Sequence, residues 1–116
     1  MIDDQDIRRK REEYGALLEK ALEDLVKQLE AIEGMRRVSL FGSAARGRRD
    51  LFTDLDVLVV MDTGMSFVDR LRFLYSKVNV PVDVDILCYT PQEFQLLKGS
   101  GGLRRILQEE QVLYER

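Results

Sequence analysis

The chain has 116 residues, 45% of them apolar and 34% charged, the make-up of one globular domain rather than a disordered tail or several domains. Its net charge of −3 and pI near 5.1 argue against wrapping duplex nucleic acid through bulk positive charge. Histidine is absent and Cys88 is the lone cysteine, so an intrachain disulfide is excluded and a conventional zinc site lacks ligands.

Any bound metal is therefore expected on oxygen ligands, as Mg²⁺ or Mn²⁺. Met1 leads into Asp3, Asp4 and Asp6, the wrong sign for a secretory leader, and no apolar run approaches membrane length. A cytoplasmic protein with no membrane partner is expected. Cys88, in an apolar run, reads as a buried small hydrophobe.

In chain order, a helix is expected over about 4–33. Tyr14, Leu18, Ala21, Leu22, Leu25, Leu29 and Ile32 recur at spacings of three and four, and Gly34 supplies the stop. The apolar stripe is long for so short a chain, a hint of a partner, either another protein or a second copy. Arg37 to Phe41 reads as a short strand running into Gly42-Ser43, with one helical turn over 44–47 and a loop to Phe52. Asp54 to Met61 is the strongest strand, its Val57-Leu58-Val59-Val60 run suiting a central position.

A helix over Ser66 to Val78 follows, with Ser66 as N-cap, then a strand over Val82 to Tyr89. Thr90 caps and Pro91 opens another helix to about Lys98. After the break at 99–102 come a helix over about 103–110 and a short strand over Val112 to Tyr114. The alternation predicts a single α/β (α+β) domain with a small sheet flanked by helices and a functional core at about 37–98.

The chemistry concentrates in Gly42-Ser43-Ala44-Ala45-Arg46-Gly47, followed after five residues by Thr53-Asp54-Leu55-Asp56. Glycine lets backbone approach a phosphate, a helix start offers free N–H groups, and the Ser43 hydroxyl adds a donor. Asp54 and Asp56, two apart on a strand, project from one face. Like charges so close raise one another's pKa unless a cation lies between them. Mg²⁺ is held by one or two carboxylates together with substrate phosphates.

A third carboxylate is expected from the strand carrying Asp83 and Asp85. Three acids bridge two metals and leave one to act as base toward a hydroxyl. Phosphoryl and nucleotidyl transfer depend on such positioning and charge neutralisation.

The run Gly-Ser-x-x-Arg-Gly, five residues, then Thr-Asp-x-Asp in an apolar strand resembles the signature of the DNA polymerase β-type nucleotidyltransferase superfamily. Within it, the chain resembles the minimal nucleotidyltransferases (MNT) that pair with HEPN-domain proteins as antitoxins. The resemblance covers about 38–91, and implies the polymerase β-like fold with a mixed sheet. It further implies that Gly42 and Ser43 contact the triphosphate, that Arg46 steadies phosphate oxygens, and that Asp54, Asp56 and a third acid ligate Mg²⁺. Asp85 is preferred over Asp83 for that role because of its spacing to Thr90-Pro91. Thr53 stands where the family more often has Ser.

The implied reaction moves a nucleoside monophosphate, AMP from ATP, to an acceptor hydroxyl, such as a tyrosine of a HEPN toxin partner. A chain of this length has little room for an acceptor-binding lobe. Two rival readings stand beside it, a non-catalytic module that neutralises a toxin by covering it, and nucleotidyl transfer to an aminoglycoside-type small molecule. Arg48 and Arg49 read equally as solvated loop and as residues that steer nucleotide or an acidic partner.

Overall fold

Residues 3–116 are described by a computed structural model. Helix α1 spans Asp4–Glu30 and is capped by Asp3, whose side chain accepts from the Asp6 amide at 2.9 Å. Its stripe buries Leu18, Ala21, Leu25 and Leu29, while Tyr14, Leu22 and Ile32 pack at the margin. The helix stops at Glu30, three residues before the expected end. Gly34, at φ 87°, then turns the chain against the Asp62 carbonyl, where an added Cβ would meet oxygen at 2.4 Å.

Strand β1 (Met35–Phe41) passes into the single turn α2 (Gly42–Ala45), and β2 (Leu55–Met61) returns antiparallel to it. Helix α3 (Phe67–Lys77), capped by Ser66, carries the chain over to β3 (Val84–Tyr89), parallel to β2. Parallel neighbours need such a crossover. Helix α4 (Pro91–Leu97) opens on a full capping box between Thr90 and Glu93. Helix α5 (Gly101–Glu109) leads into β4 (Gln111–Glu115), antiparallel to β1. The sheet order is β3-β2-β1-β4, a mixed sheet flanked by helices as expected.

Strand alternation gives the sheet two different faces. Val38, Leu40, Val57, Val59, Ile86 and Cys88 face α1 and α3 and join Leu18, Leu25, Leu29 and Leu74 in one core. Met35 joins the same core although it is an odd number of residues from Val38, because a bulge shifts the register between Met35 and Arg37. Each of these fully buried aliphatic side chains contributes roughly 1.5–3 kcal/mol. Burial also pushes the Cys88 thiol up to about 11, as suits an inert core residue.

The opposite face carries Arg37, Ser39 and Phe41 on β1, Asp56, Leu58 and Val60 on β2, and Asp85 on β3, with α4 and α5 beside it. The polar end of this face is the start of β2 and β3. Strand β3 begins at Val84, two residues later than expected, so Asp83 lies outside the ladder. Its carbonyl still accepts from the Leu55 amide at 3.0 Å. Among the described residues no helix is long and apolar enough to cross a membrane.

Candidate functional site

Phe41 pairs with Asp56 across the antiparallel ladder, and Asp56 pairs with Asp85 across the parallel one. The end of β1 and the starts of β2 and β3 are thereby brought to one edge of the sheet. Gly42 turns the chain there with φ 74°. A Cβ placed on Gly42 would stand 2.3 Å from Asp56 Oδ2, so any side chain there would displace the carboxylate. The left-handed backbone favours glycine at this position, and the absence of a Cβ lets the Asp56 carboxylate lie against its Cα. The glycine turn and the acid therefore occupy the same place.

Asp56 is half-buried, and its carboxyl is held above the usual carboxylate range. Burial is the main cause, followed by the charges of Asp85 and Asp54; Arg46 opposes the shift and Glu109 adds to it. Asp54, half-buried on the approach to β2, faces two groups. Its charge acts on Asp56 and also on the Tyr14 hydroxyl, which burial, Asp54, Asp83 and Asp50 together push up. Asp85 is thus an electrostatic neighbour of Asp56, whereas Asp83 is a neighbour of Tyr14.

Among the described residues no three His, Cys, Asp or Glu side chains are drawn together into a ready-made metal cage. Asp54 and Asp85 act on Asp56 as neighbouring charges without closing into such a cage. Such an arrangement fits a hard cation that completes its shell with water and phosphate oxygens, as Mg²⁺ does. The donor set, all carboxylate, fits the same ion. Unneutralised charge around Asp56 is what a cation would relieve.

The loop before Asp54 is braced from within. Asp50 accepts from the Phe52 amide at 2.9 Å and from the Thr53 hydroxyl at 3.2 Å, and its own amide donates to Thr53 Oγ1 at 3.0 Å. Thr53 is fully buried. Its hydroxyl shapes the turn that presents Asp54, and the Tyr14 hydroxyl donates to the Thr53 carbonyl at 3.3 Å. Arg49 clamps the far side, donating to the Ala44 carbonyl at 2.7 Å and to Glu19 on α1 at 2.7 Å. That is a structural duty, not the steering role open to it in the sequence. Arg48 is exposed and pairs with Asp50 at 2.5 Å.

One residue at the site escaped sequence reasoning. Glu109, the last residue of α5, accepts from the Gly42 amide at 3.2 Å and from Arg46 Nη1 at 2.8 Å. It lies 67 positions from Gly42, and only the return of β4 along β1 brings it there. A groove of about 650 Å³ lies at the other end of the sheet, lined by Arg36, Arg37, Phe94, Glu115 and Arg116 among others. None of the acids described above borders it.

Comparison with known proteins identifies the family of the chain. A family model described as "Nucleotidyltransferase domain" matches residues 18–80, a stretch that includes Gly42, Ser43, Arg46, Asp54 and Asp56 and stops short of Asp83 and Asp85. The "Putative protein adenylyltransferase" of Methanocaldococcus jannaschii is 39% identical over 57 residues. That match spans 48% of this chain and 61% of the relative, less than two thirds of its length.

A "putative nucleotidyltransferase" from Sulfolobus solfataricus superimposes with a TM-score of 0.57 at 19% identity, covering 100% of this chain and 93% of that one. A toxin–antitoxin structure with AMP-PNP gives 0.53 at 18% identity, over 84% and 73% of the two chains. The MntA-HpeT toxin–antitoxin gives 0.53 at 19% identity, over 81% and 72%. At these identities the structural likeness is one of fold. With more than half of its length matched by the family model, the chain belongs to the nucleotidyltransferase domain family.

Proposed function

We propose that the chain transfers a nucleoside monophosphate from ATP to a hydroxyl presented by a partner protein of the HEPN type. The hydroxyl oxygen bonds to the α-phosphorus as the bond from that phosphorus to the β-phosphate oxygen breaks and pyrophosphate leaves. The observation that carries this reading is the closeness of the Asp56 carboxylate to Gly42, an acid beside a backbone bend suited to phosphate. In this reading the Gly42 amide, Ser43 and Arg46 hold the triphosphate. Asp54 and Asp56 are the metal ligands, and Asp85 is the third acid. Its register with Asp56 and the electrostatic pairing of the two support Asp85 over Asp83.

Asp54, Asp56 and Asp85 would hold Mg²⁺, which would supply neutralisation of the phosphate charge. The protein's own contribution is to hold the triphosphate in line and keep a carboxylate near the incoming hydroxyl as base. The names of the fold neighbours, one a toxin–antitoxin with AMP-PNP, support ATP and a toxin partner.

Transfer of label from α-³²P-ATP to the co-purified partner, with and without Mg²⁺, tests the reading. Asp54→Asn and Asp56→Asn should each abolish transfer while leaving the complex intact. Toxin neutralisation that survives both substitutions, with no label moved in the wild type, would favour the non-catalytic covering module instead.

A further inference from the structure

The donors at the glycine turn are already engaged by a side chain of the same molecule. Glu109 spans the Gly42 amide and the Arg46 guanidinium with its two oxygens, at 3.2 and 2.8 Å. These are two of the groups assigned above to the triphosphate, and a carboxylate satisfies them with the charge and oxygen chemistry a phosphate would bring.

Nothing local favours the acid in that position. It closes a helix at the end where the dipole disfavours negative charge, and no basic residue stands in the last turn of α5. It also lies near Asp56, whose carboxyl it helps push up. Its neighbour Glu110 behaves differently, being buried in an ion pair with Arg37. Glu110 anchors the chain at this point while Glu109 reaches into the site.

We propose that Glu109 is a built-in phosphate mimic that sets the affinity for nucleotide, because a triphosphate must take Gly42 and Arg46 from it. This rests on the reading of Gly42 and Arg46 as triphosphate ligands. The Arg46 and Glu109 side chains are 60% and 31% exposed, and ion pairs so wetted are weak. The competition therefore costs the nucleotide a factor of about five rather than orders of magnitude. A weak internal anion of this kind occupies the donors before substrate arrives and still yields to a triphosphate carrying Mg²⁺.

Calorimetric titration of the full chain with MgATP, and separately with magnesium tripolyphosphate, tests it in the wild type, Glu109→Gln and Glu13→Gln. Glu13 is an exposed acid on α1, and its substitution controls for net charge. Glu109→Gln should bind both ligands about fivefold tighter, with Glu13→Gln unchanged. If Glu109 instead braces the turn or joins the metal shell, its loss weakens binding, the opposite sign. A wild type that binds and a Glu109→Gln variant that binds equally or less well overturns this inference alone. Absence of binding in every variant overturns the site reading with it.

Discussion

The two ends of β1 handle charge in opposite ways. At the Arg37 end, Arg36 and Arg37 are both paired. Arg37 pairs with Glu110 and Glu115 and lies over the Phe94 ring at 5.7 Å, and Arg36 reaches Asp62 at 3.6 Å. At the Gly42 end, Asp54, Asp56 and Asp85 share an edge with Arg46 as the one cation among the groups that shift Asp56, and that cation is shared with Glu109. Buried charge that is matched costs the fold little, and the cost appears only when one partner is stranded. Like charge gathered without compensation raises the energy of the free protein and is tolerated where a ligand relieves it.

The largest effect that separates the two ends is on catalysis. Asp56→Asn should lower nucleotidyl transfer by roughly a thousandfold or more, with the protein still folded, because it removes charge from the reacting phosphate and leaves shape unchanged. A variant that unfolds, or one that keeps most of its activity, would break the contrast. Label transfer read beside a far-ultraviolet thermal melt checks both.

At the matched end the cost should fall on stability. Arg37→Met leaves Glu110, whose side chain is only 8% exposed, without its cation. Breaking such a pair costs about 3 kcal/mol in urea unfolding at neutral pH. The double variant Arg37→Met with Glu110→Gln should recover most of that loss, since it removes the stranded charge as well. Non-recovery would mean that the pair does more than cancel itself.

Two glycines sharpen the comparison further. Gly42 and Gly47 both have positive φ, 74° and 96°, but only Gly42 has an atom near its missing Cβ; at Gly47 nothing lies within 4 Å. Each Ala substitution should cost about 1 kcal/mol for the backbone. Gly42→Ala must also push Asp56 aside and should lose transfer, whereas Gly47→Ala should retain it. Equal losses of activity would show that the carboxylate contact is incidental.

What could be read from the residues, and what could not, divides along the same physical line. The helices and strands of the core followed from periodicity and caps, since Ser66, Thr90 and Pro91 act on neighbours a few residues away. The acid pair at 54–56 and the glycine turn are likewise local patterns. The Arg49 clamp to Glu19 and the reach of Glu109 to Gly42 depend on chain segments tens of residues apart meeting on a folded sheet, and no local spacing announces them. The adjacent acids Glu109 and Glu110 before the last strand were the one available hint. Thr53 showed a hydroxyl in the sequence, but its duty inside the Asp50 turn needed the geometry.

The smallest predicted effect is the most direct probe of unmatched charge. Burial and the neighbouring acids raise the folded pKa of the Asp56 carboxyl above its ordinary value, so the folded state holds that proton more tightly than the unfolded chain does. Above the raised pKa the ionised group costs the fold. As pH falls through that raised pKa the group protonates first in the folded state, and the cost is relieved. Asp56→Asn should therefore stabilise the free protein at neutral pH, by less than about 1 kcal/mol since solvent reaches the carboxylate. The gain should shrink as pH drops through the raised pKa. Melts in EDTA between pH 4 and 8 would show it. Added MgATP should reverse the order, raising the melting temperature of the wild type above that of the variant, because only the wild type keeps the carboxylate that the ligand relieves. A variant less stable than the wild type at pH 7 in EDTA would mean that Asp56 is matched after all, and that the two ends of β1 obey the same rule.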